Sequence, residues 1–173
     1  VTAPSVTALL GAIATRLAQE GIVLLDSSTF LKDYLCPVGA LTKRQPSEAE
    51  HRDIRVGVQV ARQFASMDIG QTVVVKRGVV VAVEALEGTD ATIQRAAQLA
   101  GPEAVVVKMA SPTQDMRFDL PILGPQTMTV VLASGVRCVA VEAHKTLLLD
   151  KPALIRDADD AHLAIFGIDP QAR

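Results

Sequence analysis

The sequence AVVVKMASPTQDMRFDLPILGP, residues 104–125, joins a valine-rich run to a long polar segment. The run at 104–108 is continuous, apolar and β-branched, which predicts a strand buried in a sheet. From Lys108 to Pro125 the chain is too polar and too rich in proline for a strand, and it lacks a helical period. Loops of this length inside a compact domain are usually functional or disordered. Because this loop also carries large apolar side chains that need burial, we predict that it is ordered and carries a functional site.

Composition places the chain among globular proteins with an aliphatic core. Of its 173 residues, 49% are hydrophobic and 21% are charged, whereas only 3% are aromatic. The scarcity of aromatic rings and the net charge of −2 argue against nucleic acid as a partner. The two cysteines lie far apart and have no CxxC pattern, so reduced structural thiols in an intracellular protein are expected. No apolar run approaches the ~20 residues of a membrane-spanning helix.

Apolar periodicity and turn residues divide the chain into alternating helices and strands. Ser47 and Glu50 predict a capping box, Thr89 is expected to cap another helix, and Arg77 with Gly78 predicts a tight hairpin turn. The valine-rich strands of this hairpin are expected at the centre of the sheet. The resulting prediction is an α/β fold with a mixed β-sheet flanked by helices. Helices are predicted at about 5–20, 47–67, 89–101, 125–134 and 152–161, and strands at 22–25, 72–76, 79–85, 104–108, 137–143, 146–150 and 162–169.

Polar residues follow several predicted strands, at the edge where ligands bind in open α/β sheets. In the segment EGTD, Glu87 to Asp90, a strand passes into a helix whose N-terminus suits an anionic ligand. Gly88 permits a close approach of the backbone to such a ligand. The alternative is that Thr89 and Asp90 merely cap the helix.

The loop itself carries Asp115, Arg117 and Asp119 at alternating positions. In an extended backbone these three side chains would share one face. Two carboxylates on one face can hold a divalent cation, and an arginine beside them can bind a phosphate. An Asp–Arg–Asp ion network that only fixes the loop explains the same residues equally well.

A third polar group, Glu142 with His144 and Lys145, lies at a turn between strands. His144 is more simply explained as an exposed turn residue, whereas Lys145 would supply the positive charge that a phosphate site needs. The sequence has no glycine-rich nucleotide motif, nucleophile elbow or zinc-ligand pattern. For a phosphate anhydride, carboxylate-bound Mg²⁺ would polarise a phosphoryl oxygen, and Lys or Arg would stabilise the developing charge. The residues by themselves therefore support metal-assisted hydrolysis as one hypothesis.

Several strings, taken in order, resemble the C-terminal domain of LpxI, the family of UDP-2,3-diacylglucosamine pyrophosphatases of lipid A biosynthesis. The resemblance implies a Mg²⁺-dependent hydrolase that cleaves UDP-2,3-diacylglucosamine into UMP and 2,3-diacylglucosamine 1-phosphate (lipid X). It also implies a cytoplasmic protein of Gram-negative bacteria, soluble or peripheral to the inner membrane. The strings are RQPSEAEHRDIRVGVQVAR (44–62), DIGQ (68–71), VEALEGTD (83–90), VKMASPTQDMRFDLPILGP (107–125) and VEAHKTLLLD (141–150).

Residue patterns and resemblance together define an expected site. The resemblance implies an essential aspartate in the QDMRFD region, and both of its aspartates remain candidates. The expected catalytic residues are Asp115, Asp119, Arg117 and Lys145; the expected substrate-binding residues are Gln71, Gly88, Thr89, Lys108 and Gln114; the expected Mg²⁺ ligands are Asp115, Asp119, Glu87 and Asp90.

The resemblance further implies a two-domain enzyme with its lipid nucleotide bound between the domains. Residues 27–173 would form the C-terminal catalytic domain. Residues 1–26 would be a remnant of an N-terminal Rossmann-like domain, or a connecting helix and strand. With that domain missing, this fragment is expected to be inactive by itself. The alternatives are a non-catalytic nucleotide-sugar or lipid-binding module and a dimerisation domain that pairs two copies of the chain.

Overall fold

The structure, a computed structural model of the chain, describes residues 6–111, 115–118 and 120–171, with side chains described from Leu9 onward. Among these residues, no helix is both long enough and apolar enough to cross a membrane. The helices are Val6–Gln19 (α1), Glu48–Ser66 (α2), Thr89–Ala100 (α3), Pro125–Ala133 (α4) and Lys151–Asp160 (α5). The strands are Gly39–Ala40 (β1), Thr72–Lys76 (β2), Val79–Val83 (β3), Val105–Lys108 (β4), Ile122–Leu123 (β5), Cys138–Glu142 (β6), Leu147–Leu148 (β7) and Ala164–Ile168 (β8).

Within the described chain, six strands form one mixed sheet in the order β1-β8-β6-β4-β2-β3. Strands β4, β6 and β8 run parallel, and β1, β2 and β3 are added by antiparallel pairing. The parallel strands end at Lys108, Glu142 and Ile168, and Thr72 at the start of β2 pairs with Lys108. The predicted α/β fold with a mixed sheet is therefore confirmed, and one edge of the sheet collects polar strand ends.

Helices cover both faces of the sheet. Helices α3, α4 and α5 pack on one face and α2 packs on the other, each burying an aliphatic cluster. Gly57 allows α2 to approach β4 closely, because a Cβ at this position would lie 2.5 Å from Cγ2 of Val107. Asp53 of α2 accepts hydrogen bonds from the backbone N–H groups of Arg77 (2.9 Å) and Gly78 (2.6 Å). Helix α2 thus holds the β2–β3 turn, and both turn residues have positive φ, as a tight hairpin requires.

The end of the long loop is tied to the rest of the fold by a second, two-stranded sheet in which β5 and β7 pair in parallel. The backbone of Leu147 donates to Pro121 at 2.9 Å, which extends this pairing. Further back in the loop, Ser27 donates from its N–H to the carbonyl of Met116 and from its hydroxyl to the carbonyl of Arg117. The described parts of the loop are therefore ordered by contacts from two distant segments.

Three local predictions are wrong. Ile22–Leu25 is not a strand: it belongs to neither sheet of the described chain, and most of its side chains are exposed, Val23 by 77%. The hairpin is not at the centre of the sheet, since β3 is an edge strand and Val79 is 64% exposed. Thr89 does not cap α3; the cap is Gly88, whose φ of 82° suits a glycine. The β-branched runs predicted β2 and β3 correctly but carried no information about which strands would lie beside them.

Candidate functional site

A polar cavity of about 420 Å³ opens at the edge of the sheet where β3 and β4 end and β2 begins. Strand ends, loop residues and two helix starts contribute to its wall, so parts of the chain that are distant in sequence meet there. The lining residues are Ile69, Gly70, Gln71, Glu84, Ala85, Thr89, Lys108, Leu120, Pro121, Ile122 and Thr127.

The hydroxyl of Thr89 is the centre of a hydrogen-bond network in this cavity. Lys108 Nζ donates to Thr89 Oγ1 at 2.7 Å, and Thr89 Oγ1 donates to Glu84 Oε1 at 3.1 Å. Thr72 Oγ1, which is buried, lies 3.2 Å from Thr89 Oγ1. Because a hydroxyl has one hydrogen and an ionised carboxylate can only accept, Thr72 must donate to Thr89. The network therefore has a single direction and holds an ammonium and a carboxylate on either side of one hydroxyl.

A second set of contacts fixes the segment DIGQ against the end of β3. The backbone N–H of Gln71 donates to Glu84 Oε2 at 3.3 Å, and the carbonyl of Gln71 accepts from Met109 at 2.9 Å. A Cβ on Gly70 would lie only 2.2 Å from the carbonyl oxygen of Glu84. Only glycine permits this close approach, which brings Gln71 next to Glu84.

The electrostatic character of the cavity combines an anion site with one carboxylate. Thr89 is the first residue of α3 and Thr127 is in the first turn of α4, so two helix N-termini adjoin the cavity. Helix N-termini carry partial positive charge and unpaired N–H groups, and Lys108 adds a full positive charge. Glu84 contributes the opposite charge. The cavity therefore suits a ligand that carries both an anionic group, such as a phosphate, and a hydrogen-bond donor for Glu84.

Three of the five expected substrate-binding residues, Gln71, Thr89 and Lys108, line this cavity together. Gly88 lies next to Thr89 as the cap of α3. Gln114 lies outside the described residues. Their substrate-binding role stays a prediction, but the structure places this part of the expected site in one location.

The two acidic residues expected as Mg²⁺ ligands in EGTD have other partners. Glu87 forms an ion pair with Arg95 (Oε1 to Nη2, 2.5 Å) and accepts from the N–H of Ala85 at 3.1 Å. Its own backbone and Arg95 hold the pKa of Glu87 below the usual value. Asp90 accepts from the side-chain amide of Gln126 at 3.2 Å. These contacts fix the start of α3, and metal binding by either residue stays a prediction.

The loop residues Asp115 and Arg117 form a bidentate ion pair. Arg117 Nε and Nη2 donate to the two carboxylate oxygens of Asp115 at 2.9 and 2.6 Å, and these bonds lower the pKa of Asp115 to about 2. The N–H of Phe118 donates to the carbonyl of Asp115, so the backbone turns here. The described part of this segment, residues 115–118, is therefore a turn and not an extended backbone. Asp119, the other candidate for the essential aspartate, lies outside the described residues.

Lys145 is paired with Glu142 outside the first cavity. Its Nζ lies 3.0 Å from Glu142 Oε1, and Glu142 Oε2 accepts from the N–H of Ala110 at 2.9 Å. Both side chains line a smaller cavity of about 220 Å³ with Arg62, Ala110 and Pro170. Lys108, which sequence reasoning assigned to substrate binding, is therefore the cation of the larger cavity, whereas Lys145 neutralises a buried glutamate.

The expected Mg²⁺ ligands do not gather into one acidic cluster among the residues that the structure describes. In 6–111, 115–118 and 120–171, no three His, Cys, Asp or Glu side chains come together as a group that could hold an ion. Among the expected ligands, Glu87 and Asp115 are occupied by arginines. The Mg²⁺ site therefore stays a prediction that depends on Asp119 or on groups outside the described residues.

Glu84 is a charged residue of the cavity that the sequence-based prediction left out of the expected site. It follows directly after β3, just as Lys108 ends β4. The available signal was the polar residue at the end of each valine-rich run: Thr72, Glu84 and Lys108 are all of this kind. These three ends meet through the hydroxyl of Thr89.

Comparisons with known proteins identify the family to which the chain belongs. The family model described as LpxI C-terminal domain matches residues 37–166. The chain is 36% identical over 176 residues to a protein of Caulobacter vibrioides named UDP-2,3-diacylglucosamine pyrophosphatase LpxI. That alignment covers 96% of this chain and 62% of the relative, so the chain spans less than two thirds of the relative's length. The chain belongs to the LpxI family and contains its C-terminal domain.

Proposed function

We propose that the chain is the C-terminal catalytic part of a Mg²⁺-dependent hydrolase of lipid A biosynthesis. The reaction is cleavage of the pyrophosphate bond of UDP-2,3-diacylglucosamine to UMP and 2,3-diacylglucosamine 1-phosphate. Family membership and the name of the Caulobacter relative support this proposal. The observation that carries it is the cavity in which Lys108, bonded to Thr89, lies beside two helix N-termini.

In this proposal the chain's own groups bind and orient the pyrophosphate. Lys108 and the N-terminal N–H groups of α3 and α4 take phosphate oxygens, and the network through Thr89 holds the ammonium in place. Carboxylates available for a metal ion are the loop aspartates, of which Asp115 is paired with Arg117. Bound Mg²⁺ would supply polarisation of a phosphoryl oxygen and a lower pKa for bound water.

The proposal includes a second domain that completes the site. The chain spans 62% of the relative's length. Apolar side chains of the N-terminal segment face solvent: Leu9 is 55% exposed, Val23 77% and Phe30 85%. Large apolar side chains that are exposed in this number are typical of a surface that another domain covers. Because Ser27 bonds to the loop at Met116 and Arg117, this surface adjoins the loop that carries the candidate aspartates.

The test compares this chain with a chimera in which it is joined to the N-terminal part of the Caulobacter relative. Release of UMP from UDP-2,3-diacylglucosamine is followed by chromatography with Mg²⁺ and with EDTA. We expect the chimera to hydrolyse the substrate with Mg²⁺. Lys108→Gln should abolish this hydrolysis, and so should at least one of the two variants Asp115→Ala and Asp119→Ala. Asp157→Ala, an exposed aspartate of α5, is the matched control. Full activity of all three site variants would refute the site, and UMP binding without hydrolysis would favour a binding module.

A further inference from the structure

The presence of a carboxylate in an anion-binding cavity needs an explanation. Among the described residues, Glu84 is the only carboxylate that lines the cavity of about 420 Å³. A carboxylate this close to a bound phosphate would repel it. This repulsion would be offset if another group of the ligand donated a hydrogen bond to the carboxylate.

The contacts of Glu84 leave it able to accept more hydrogen bonds. Its Oε1 accepts from Thr89 and its Oε2 from the N–H of Gln71. An ionised carboxylate has about four acceptor sites, so each oxygen keeps capacity for another donor. The side-chain amide of Gln71 also lines the cavity, and it has no hydrogen-bond partner among the described residues. The carboxylate of Glu84 and the residue Gln71 therefore line the same cavity as Lys108 and the two helix N-termini.

We propose that Glu84 is a specificity-determining residue that accepts hydroxyl groups of a sugar whose phosphate is bound by Lys108 and the N-termini of α3 and α4. This inference rests on the proposed function and names the feature of the substrate that the cavity recognises. The shared chemistry is a phosphorylated sugar, and a ribose or a hexose can supply it.

The negative charge of Glu84 explains why it would discriminate between a sugar phosphate and inorganic phosphate. An inorganic phosphate meets the carboxylate as a like charge and offers it no sugar hydroxyl. A sugar phosphate carries hydroxyl groups that the carboxylate accepts, and sites with buried hydrogen-bonding groups reject ligands that leave these groups unpaired. Gly70 is part of the same arrangement, because a larger residue there would displace Glu84.

The experiment measures the affinity of this chain for three probes in EDTA by isothermal titration: inorganic phosphate, UMP and N-acetylglucosamine 1-phosphate. The variants are Glu84→Gln and, as a matched control, Glu103→Gln on an exposed turn. We expect Glu84→Gln to bind at least one sugar phosphate about tenfold more weakly and inorganic phosphate no more weakly than wild type. The probe that loses affinity identifies the sugar as ribose or hexose. Glu103→Gln should bind all three probes like wild type.

A purely structural role for Glu84 would weaken all three probes in parallel, and that result would overturn the inference. Absence of sugar-phosphate binding by the wild type would overturn it as well. An unchanged melting temperature in Glu84→Gln excludes simple unfolding. If Glu84 changes the preference between probes but the chimera does not hydrolyse the lipid nucleotide, the inference stands and the proposed hydrolysis fails. If the chimera is active but the preference between probes does not depend on Glu84, the proposed hydrolysis stands and the inference fails.

Discussion

Glu50 connects the start of α2 to two other segments, and its removal should destabilise the fold. Its Oε2 accepts from the N–H of Ser47 at 2.7 Å, and Ser47 Oγ accepts in return from the N–H of Glu50, which completes the capping box. Arg44 Nη2 donates to both carboxylate oxygens at 2.7 and 2.8 Å, and Arg44 Nη1 donates to the carbonyl of Arg137. The substitution Glu50→Ala therefore breaks a cap and an ion pair at once.

The expected loss follows from these contacts. Half of a capping box contributes about 1 kcal/mol, and hydrogen bonds from a charged donor to a largely buried carboxylate contribute about 2 kcal/mol. A total of about 3 kcal/mol should lower the melting temperature by about 6 to 12 °C in a domain of this size. Glu48→Ala is the matched control, because Glu48 is in the same helical turn but is exposed. It should cost about 0.5 kcal/mol through the helix dipole alone.

The assay is urea unfolding followed by circular dichroism, repeated between pH 7 and pH 3. Burial acts to raise the pKa of Glu50, but the bonds from Ser47 and Arg44 outweigh burial and hold this pKa below its usual value. Its stabilisation is therefore fully present above the unfolded-state pKa of about 4.3 and is lost as pH falls through the folded-state pKa. The difference between wild type and Glu50→Ala should shrink accordingly. Equal stabilities of Glu50→Ala and Glu48→Ala at pH 7 would refute this reasoning.

Further predictions concern the cavity, the thiols and the loop. Gly70→Ala should weaken UMP binding at least tenfold in titration, because its Cβ would meet the carbonyl of Glu84; unchanged binding would contradict the role of that contact. Cys36 and Cys138 are buried, and burial raises the pKa of each thiol to about 12, so neither should react with a thiol reagent at pH 8 until the protein is unfolded. Arg117→Ala should raise the pKa of Asp115 from about 2 toward its usual range, as carboxyl NMR titration would show; an unchanged pKa would exclude the ion pair in solution.

Local patterns predicted most of the helices and strands. Ser47 with Glu50 marked the start of α2, and Arg77 with Gly78 marked the hairpin turn; both signals depend on hydrogen bonds between neighbouring residues. The apolar run at 22–25 shows where this reasoning fails. Its composition suits a strand, but a strand also requires a partner at a sheet edge, and the fold provides none there.

The candidate site was predicted in part. Gln71, Thr89 and Lys108 were expected together and do line one cavity. The sequence could not show which of Glu84 and Glu87 lines the cavity, because the two glutamates are three residues apart and equally acidic. What separates them is the direction of the chain after β3: Arg95 of α3 pairs with Glu87, and Thr89 bonds to Glu84.

The sequence by itself determined the α/β class, the main helices and strands, the long loop and, through its ordered strings, the resemblance to the LpxI family. Only the tertiary structure decided that β3 is an edge strand and that Thr72, Glu84 and Lys108 meet at Thr89. The physical reason is the distance along the sequence over which the deciding interactions act. Periodicity and caps arise from interactions within a few residues, whereas the cavity depends on the pairing of strands up to 36 residues apart, as for Thr72 with Lys108.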